Sequence, residues 1–382
     1  MGKYVNALYR KAARVTTLVC GFLFAIFSFV YLYVFQRDVL EALHFSLAHG
    51  KTEYVPFASA LVITLILILL RWGVNSLLGL KGKVRSLAYL PSFLILCALT
   101  DVGREVYMSG YHTAWRWLLP LLILLFVLAA YWLRRIFRSL LDEEVAMGSL
   151  VNWNIALLFF QCLLTVMIGN SDRGFHHELE MERHLRNGEY VRALDTGRLD
   201  LDAGRTLTAL RAMAMTQAGV MGDRLFEYPQ DFGSRGLFFA DDSTATLRYT
   251  NDSLYHLLGG KPRAGETPAD YLYGLCHADS VTRAAVDYYL SALLLDKRVE
   301  EFAQTVGVLL APQDTLPRHY REAMTLYRSQ HADSVFAQQD SLMQARYAEY
   351  KKLQAEPGAP LQERNRMKRN FGHTYWWYYD YQ

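Results

Sequence analysis

Residues 15–35 read VTTLVCGFLFAIFSFVYLYVF, a run of 21 residues that contains no charged side chain. A bilayer core about 30 Å thick needs about 20 apolar residues when the chain crosses it as a helix. Lipid offers the backbone no hydrogen-bond partners, so a crossing segment of this kind must be helical to satisfy its own N–H and C=O groups. This stretch therefore predicts a membrane-spanning helix, and it sets the class of the whole chain.

Four more apolar runs follow, at about residues 55–72, 87–103, 115–133 and 150–169. With the run at 15–35 they predict a bundle of five transmembrane helices within residues 1–170, followed by a C-terminal domain in residues 171–382. The third run is the weakest, because Pro91 interrupts it and Asp101 lies near its end. These runs place no ionisable side chain at depth, which argues against a proton- or ion-coupled transporter.

Lysine and arginine in the connecting segments predict the orientation, since they are enriched on the cytoplasmic side of membrane proteins. One side carries 11 of them: Lys3, Arg10, Lys11, Arg14, Arg71, Lys81, Lys83, Arg85, Arg134, Arg135 and Arg138. The other side carries four, namely Arg37, Lys51, Arg104 and Arg116. The sequence therefore predicts a multi-pass protein of the bacterial inner membrane with a cytoplasmic N-terminus and a periplasmic C-terminal domain.

Charge and cysteine content argue against two classes of function. The formal charge of +3 combines a balance of +7 in residues 1–170 with a balance of −4 in residues 171–382. Because the basic excess belongs to the membrane domain, nucleic-acid binding is not expected. Cys276 is the single cysteine after residue 170. The C-terminal domain is therefore predicted to have no internal disulfide and no cysteine metal cluster, and no cofactor is predicted.

Helical periodicity dominates the C-terminal domain, where apolar residues recur at i, i+3, i+4 and i+7. The segment from Leu185 to Leu194 is similar to the corner between the two helices of a tetratricopeptide repeat, and two more helix pairs are predicted at residues 281–310 and 317–350. The predicted repeat positions are Gly188, Tyr190, Ala193, Phe302, Tyr320 and Ala323. The chain is thus predicted to be all-α, with a tetratricopeptide-like domain that has a loop-rich insert at about 227–270; an irregular helical bundle is the alternative.

An aromatic tail ends the sequence. Residues 371–382 read FGHTYWWYYDYQ, and six of the last eight positions are Tyr or Trp. Leaving so much aromatic surface in water costs several kcal/mol at ~25 cal/mol per Å². We therefore expect the tail to dock onto its own domain rather than to lie at the membrane interface or to bind a partner.

Three phrases in the C-terminal domain stand out: MGDRLFEYPQ at residues 221–230, LPRHYREA at 316–323 and TYWWYY at 374–379. They resemble a group of uncharacterised membrane proteins from Bacteroidetes, which have N-terminal spans and a C-terminal tetratricopeptide-like domain. The resemblance implies a compartment and a fold, and it implies no catalytic chemistry.

A possible metal site begins the C-terminal domain. His177, Glu180 and His184 fall at i, i+3 and i+7, which on a helix places them on one face. This set of side chains suits a divalent metal. A solvated helix face just above the lipid headgroups is the favoured interpretation.

The first external loop carries Asp38, Glu41 and His44 with helical spacing, close to the membrane surface. Membrane glycosyltransferases that use lipid-linked donors resemble this arrangement, because they have an acidic residue in their first external loop. The favoured interpretation is an amphipathic interfacial helix. Its apolar side would consist of Val39, Leu40, Leu43, Phe45 and Leu47.

Two hypotheses about function follow from these features. The leading one is a non-enzymatic scaffold, in which five helices hold a periplasmic helical-repeat domain whose concave surface binds a protein or peptide partner. The alternative is a membrane enzyme that acts on a lipid-linked glycan or a similar amphiphile, with Asp38, Glu41 and His44 beside a cleft that opens to lipid. Both expect contact with membrane lipid.

Overall fold

The computed structural model describes residues 2–107, 113–136, 147–198, 200, 203–240, 248–278, 280–310, 316–331 and 340–382. Over these residues the chain forms 18 α-helices and no β-strand, which confirms the predicted all-α class. The chain divides into two compact units, Met1–His176 and His177–Gln382, which we call the membrane unit and the C-terminal unit. The boundary predicted at residue 170 lies shortly before this division.

Five stretches of the membrane unit are long and apolar enough to cross a membrane, which agrees by length and composition with the five predicted spans. They are Lys11–Phe35, Pro56–Leu78, Gly82–Thr100, Trp115–Trp132 and Gly148–Ile168. The α-helices described here are α1 (Gly2–Val30), α2 (Arg37–Ala48), α3 (Pro56–Leu78), α4 (Leu90–Thr100), α5 (Trp115–Ile136) and α6 (Met147–Ile168). A π-helical turn at Tyr31–Phe35 extends α1, and 3-10 turns at Gly82–Tyr89 and Arg104–Tyr107 flank α4.

The third span combines two kinds of helix. Pro91 lies in the first turn of α4, where its missing N–H would have no helical partner anyway, and the eight residues Gly82–Tyr89 before α4 form 3-10 turns. About 17 Å of α-helix and about 16 Å of 3-10 helix together match the thickness of a bilayer core. The span therefore begins at Gly82 rather than at the predicted residue 87.

Asn154 of α6 fixes this 3-10 segment. Its Oδ1 atom accepts hydrogen bonds from Ser86 N at 2.8 Å and from Ser86 Oγ at 3.0 Å. Its Nδ2 atom donates to Gly82 O at 3.0 Å and to Leu150 O at 2.8 Å. Gln161, two turns further along α6, donates from Nε2 to Ser86 O at 3.2 Å. Backbone groups that a 3-10 segment leaves unpaired are thus satisfied by side chains within the unit.

The second span is longer than the sequence predicts. Helix α3 continues to Leu78, beyond the predicted end at residue 72, so Arg71 lies inside the span. Arg71 is only 5% exposed. Arg71 therefore belongs to a helix that is long and apolar enough to cross a membrane, although its own side chain is charged.

The membrane unit is closely packed where the end of α1 meets the end of α6. The Tyr31 hydroxyl lies 3.3 Å from Thr100 Oγ1 and donates to Thr165 O at 3.4 Å. A Cβ atom added at Gly169 would lie 2.1 Å from the Tyr31 hydroxyl oxygen and 2.8 Å from Thr100 Oγ1. The absence of a side chain at Gly169 therefore permits this contact.

From residue 173 onward the described chain forms α7 (Arg173–Arg186), α8 (Tyr190–Asp195), α9 (Arg205–Gln217), α10 (Met221–Arg224), α11 (Asn251–Leu258), α12 (Pro268–Cys276), α13 (Arg283–Leu295), α14 (Val299–Leu309), α15 (Arg318–Gln330), α16 (Ser341–Gln354), α17 (Pro360–Phe371) and α18 (Tyr375–Tyr381). The predicted insert at 227–270 includes the 3-10 turn Gly233–Leu237 and α11, so it is helical in part. The aromatic tail at 371–382 includes α18.

Helix α13 forms the centre of the C-terminal unit, since every residue from Ala285 to Leu295 is buried. A helix buried on all sides lies within a core rather than on a surface. Helix α9 is likewise buried from Leu207 to Met215. Around this centre α13 packs on α14, α14 on α15, α15 on α16, and α18 on both α15 and α17. Whether these pairs form tetratricopeptide-like repeats stays a prediction.

Candidate functional site

Helix α2 covers the outer part of the membrane unit next to the π-helical turn. Its apolar residues Val39, Leu40 and Ala42 are buried, and the helix ends at His49 and Gly50, which both have positive φ angles. Positive φ is the usual way for a helix to stop and reverse direction. The helix predicted for this loop is therefore present, but of its predicted apolar side only Val39 and Leu40 are buried, and Leu47 is 71% exposed.

A cavity of about 430 Å³ lies between α2, the first turns of α3 and the last turn of α4. We call it the first-loop pocket. It is lined by Leu40, Leu43, His44, Leu47, Tyr54, Ala58, Ser59, Val62, Ile63 and Leu99. Only three of these ten side chains carry polar atoms, namely those of His44, Tyr54 and Ser59. Its size is within the range of small-molecule sites, and its lining suits an apolar ligand.

The polar side chains of the first-loop pocket lie together at one end of α2. The rings of His44 and Tyr54 lie 5.6 Å apart, and His44 Nε2 is 3.2 Å from Thr52 Oγ1. The Tyr54 hydroxyl is buried, and the Ser59 side chain lies close enough to act on it as a hydrogen-bond partner. Burial raises the pKa of Tyr54 to about 12, and the nearby Glu41 carboxylate acts in the same direction. Tyr54 is therefore a neutral hydrogen-bond donor at physiological pH.

The structure places the three residues of the enzymatic hypothesis in two positions. His44 is part of the wall of the pocket, whereas Asp38 and Glu41 lie one and two turns before it on α2. Glu41 is buried, at 8% exposure, and Asp38 is half-buried, so they do not lie on an exposed helix face. Both carboxylates, together with Arg37, are close enough to Tyr54 to act on its phenol electrostatically. The acidic residues therefore act on Tyr54 electrostatically but are not among the residues that line the pocket.

The possible metal ligands of the C-terminal unit have carboxylate partners of their own. His177 Nδ1 lies 3.2 Å from Asp200 Oδ2, and His184 Nδ1 lies 2.6 Å from Glu189 Oε2. Glu180 lies further from His184, at 3.8 Å from its Nε2 atom. The hydrogen bond from His184 lowers the pKa of Glu189. Within the part of the chain that the structure describes, no three side chains of metal-binding type come together.

The predicted repeat positions lie mostly in the core. Ala193, Phe302, Tyr320 and Ala323 are completely buried, and Tyr190 packs partly buried against the same core. Gly188 has a φ angle of 72°, in the left-handed region that favours glycine. Helix α8, which follows this turn, has only six residues, much shorter than the helices of the two later pairs.

The three phrases that stood out in the sequence meet in the C-terminal unit. Asp223 Oδ1 accepts a hydrogen bond from Arg318 N at 2.7 Å, and Phe226 N donates to His319 Nε2 at 3.3 Å. The Phe226 ring lies 5.1 Å from the ring of Tyr375 and 4.8 Å from that of Tyr378. Residues far apart in the chain therefore form one cluster around the start of α15 and α18.

Glu322 is the centre of this cluster and is completely buried. Its Oε2 atom accepts hydrogen bonds from His319 Nδ1 at 2.9 Å and from Tyr375 N at 2.8 Å, and its Oε1 atom accepts from Arg318 Nε at 3.0 Å. Hydrogen bonds and positive charge from His319 and Arg318 lower the pKa of Glu322 although burial alone would raise it. Trp376 Nε1 donates to Glu322 O at 2.8 Å. The aromatic tail is thus docked onto its own unit through both the carboxylate and the backbone carbonyl of Glu322, and Tyr378 adds a hydrogen bond to Leu295 O at 2.7 Å.

Residues 107–259 and 264–382 match DUF6057, a family of unknown function, over more than half of the chain. The chain belongs to DUF6057. No curated protein matches it, and no solved structure does. The DUF6057 match contains all three phrases and the Glu322 cluster. The first-loop pocket lies before the matched residues, so the family match carries no argument about that site.

Sequence reasoning missed three residues of these sites. Tyr54 lies directly before the apolar run at 55–72, and this position is a signal for a residue at the membrane interface. Glu322 and His319 lie at i and i+3 within the second phrase, a spacing that puts them on one helix face. That spacing is a signal for their contact, but no pattern indicated that Tyr375 N would share the carboxylate.

Proposed function

We propose that this DUF6057 member is an inner-membrane protein that holds an amphiphile, a lipid or a lipid-linked molecule, in the first-loop pocket. The observation that carries the proposal is the cavity between α2, α3 and α4, with an apolar wall and a polar end. This is the site of the alternative hypothesis drawn from the sequence. The scaffold hypothesis concerns the C-terminal unit and is a separate proposal.

The chain of such a ligand reaches the pocket from the bilayer. Val62 lines the pocket and is also exposed on the outer face of α3, where Leu61, Leu65, Ile66 and Leu69 are exposed as well. Lipid tails are as apolar as these side chains, so moving an acyl chain from the bilayer into the pocket gains little from the hydrophobic effect. Selectivity must therefore come from the polar end of the ligand.

The polar end of the pocket favours a phosphate or a hydroxyl-rich group. The Tyr54 hydroxyl lines this end beside Ser59, and the Arg37 Nε atom, whose side chain acts on Tyr54 electrostatically, is buried without a partner among the described residues. A buried donor without an acceptor costs about 1–3 kcal/mol, which a ligand with acceptor oxygens recovers. Asp38 and Glu41 add acceptors for sugar hydroxyls. A glycan or phosphate on an apolar chain has these complementary groups.

Native mass spectrometry of the full chain, extracted in mild detergent, tests the proposal. The wild type is expected to retain one phosphate-bearing amphiphile, and Ser59→Trp, which fills the pocket, is expected to lower retention by about tenfold or more. Leu65→Trp is the matched control, because Leu65 lies on the same helix outside the pocket. Equal retention by the two variants would remove the pocket from consideration.

A second pair of variants separates binding from catalysis. Tyr54→Phe should weaken retention while Tyr131→Phe, at an exposed tyrosine of α5, should not. If Asp38→Ala and Glu41→Gln retain the amphiphile but abolish its conversion to a product, the protein is an enzyme. If no conversion is found with the wild type either, it is a binding protein.

The orientation is part of the proposal and rests on the distribution of lysine and arginine. A reporter that works only outside the cytosol, fused after Gln382, should be active, since five crossings from a cytoplasmic N-terminus end on the periplasmic side. The same reporter fused in the segment between α3 and the Gly82–Tyr89 turns should be inactive. The reverse pattern would invert the topology.

Partner binding by the C-terminal unit is a separate proposal. It is supported by the successive packing of α13 to α16, since stacked helix pairs of this kind usually present a concave surface to a protein or peptide. Co-purification with the full chain and with a version that lacks residues 171–382 tests it. A partner that remains bound without these residues would contradict it.

A further inference from the structure

Arg71 is a charged side chain placed inside an apolar span. It lies seven residues before the end of α3 at Leu78, which corresponds to about 10 Å along the helix axis. Charged residues at depth in a membrane are costly, so they mark a functional site by default, and their counter-charge has to be identified. Residues 54–100 contain neither Asp nor Glu, so no neighbour in the second or third span provides one.

The guanidinium of Arg71 has an aromatic neighbour and no acceptor. Its Cζ atom lies 5.0 Å from the centroid of the Tyr89 ring, and its Nε atom is buried without a hydrogen-bond partner. Among the residues that the structure describes, none forms an ion pair with Arg71. A cation–π contact with Tyr89 orients the guanidinium but does not neutralise it.

The segment opposite Arg71 brings more positive charge to the same place. Arg85 lies in the 3-10 segment Gly82–Tyr89, and both Arg71 and Arg85 are close enough to Tyr89 and Cys20 to act on them electrostatically. Lys81 and Lys83 belong to the same short stretch of chain. Asn154 and Gln161 hold the backbone of this segment through Ser86 and Gly82, so Arg85 is kept on the same segment as Tyr89, which Arg71 contacts.

We propose that Arg71 and the Gly82–Tyr89 segment bind the phosphate of an anionic phospholipid from the leaflet at this end of the spans. A guanidinium matches a phosphate with two parallel hydrogen bonds, and basic sites between transmembrane helices are typical binding sites for lipid headgroups. Leu69 and Trp72, exposed beside Arg71 on α3, offer an apolar surface for the acyl chains.

This site is separate from the first-loop pocket. Ile63, the last α3 residue that lines the pocket, precedes Arg71 by eight residues, or about 12 Å along the helix. The two sites share no residue. Loss of one is therefore expected to leave the other intact, and the inference does not depend on the proposed function.

Thermal unfolding of the full chain in lipid nanodiscs tests the inference. Adding phosphatidylglycerol to phosphatidylcholine nanodiscs should raise the melting temperature of the wild type, and Arg71→Gln should abolish most of that rise. Arg116→Gln, an exposed arginine at the other end of the spans, should keep it. Equal loss in both variants would show a general charge effect and overturn the proposal.

Two further measurements keep the result decisive if Arg71→Gln does not fold. Native mass spectrometry of the wild type should show retention of phosphatidylglycerol over phosphatidylcholine by about tenfold or more, the size expected for a charge-assisted hydrogen bond. No preference would overturn the proposal. Inorganic phosphate added to phosphatidylcholine nanodiscs should leave the melting temperature unchanged; an equal rise would assign the site to free phosphate instead of lipid.

Discussion

The two units of the molecule bury different kinds of polar side chain. In the membrane unit the buried contacts join neutral groups, as between Asn154 and Ser86 or between Tyr31 and Thr100. In the C-terminal unit the central contact is ionic where Arg318 meets Glu322, and His319 adds a hydrogen bond from its Nδ1 atom. The difference follows from the cost of transferring each kind of group out of water.

A neutral amide can enter lipid before its partner is present, at a cost of a few kcal/mol. An unpaired carboxylate costs far more and would have to be protonated. A unit that folds in water keeps its charged side chains hydrated until they form ion pairs. The Glu322 carboxylate can therefore help to fix the docking position of the tail. Arg71 and Glu41 are buried charged side chains of the membrane unit and are exceptions to this pattern.

The largest effect is expected from removing Glu322. Glu322→Ala leaves Arg318, His319 and Tyr375 N without their common acceptor, and breaking a buried ion pair costs about 3–5 kcal/mol. Pulse proteolysis in urea measures the free energy of unfolding of the C-terminal unit. Glu300→Ala is the control, since the Glu300 side chain is 74% exposed. A loss no greater than that of the control would mean that the ionic cluster does not stabilise this unit.

Steric clashes are expected to destabilise the two units to a similar extent. Alanine at Gly169 meets the Tyr31 hydroxyl, and alanine at Gly222 would place Cβ 2.7 Å from Pro317 Cβ, so each variant should destabilise its unit by about 1–3 kcal/mol. Gly73→Ala is the control: nothing lies within 4 Å of the added Cβ, and the helix should gain about 0.5–1 kcal/mol. Thermal unfolding in detergent compares all three. Tolerance of Gly169→Ala would contradict the close contact.

Removing a hydrogen bond between neutral groups should lower the free energy of unfolding less than removing the ion pair of Glu322. Asn154→Leu takes away the partners of Ser86 N and Gly82 O, and hydrogen bonds inside membrane proteins are worth about 1–2 kcal/mol. Asn152→Leu, exposed on the same helix, is the matched control. Unfolding in mixed detergent micelles measures the difference. If Asn154→Leu lowers the free energy of unfolding more than Glu322→Ala does, the comparison between the two units is reversed.

The smallest expected effect is a difference in pH dependence. The pKa of Glu322 is lower in the folded unit than in the unfolded chain, so its contribution to stability is complete above the unfolded value and is lost as the pH falls through the folded value. The contribution is about 1.4 kcal/mol per unit of lowering. Protease resistance of the tail measured between neutral and acidic pH should fall accordingly, and Glu322→Gln should flatten this profile. A profile unchanged by Glu322→Gln would assign acid sensitivity to other groups.

The spans were predictable from the sequence because an apolar run of about 20 residues has few alternative structures. Their ends were less predictable. Arg71 terminates a hydropathy run but does not terminate a helix, and the 3-10 turns before α4 depend on Asn154, which lies far along the chain. Local composition cannot report a hydrogen bond to a distant residue.

The candidate sites were likewise predictable from the sequence only in part. The spacing of Asp38, Glu41 and His44 predicted a helix with one polar side; α2 is a helix, but Glu41 is buried in it. The pocket beneath it needs Leu99 from α4 and Ile63 from α3, whose approach is a matter of tertiary packing. The three phrases of the C-terminal unit were visible in the sequence, whereas their meeting at Glu322 was not.

The hydrogen bonds between Ser86 and Asn154 also set an order of events during biosynthesis. The two residues are 68 positions apart, and a ribosome that adds 5–20 residues per second needs roughly 3–14 s to make that length. During this interval the nascent 3-10 segment has no side chain to complete its backbone pairing, and it has to wait in the translocon or at the water boundary. The hydrogen bonds that complete the third candidate span therefore form only after α6 has been synthesised.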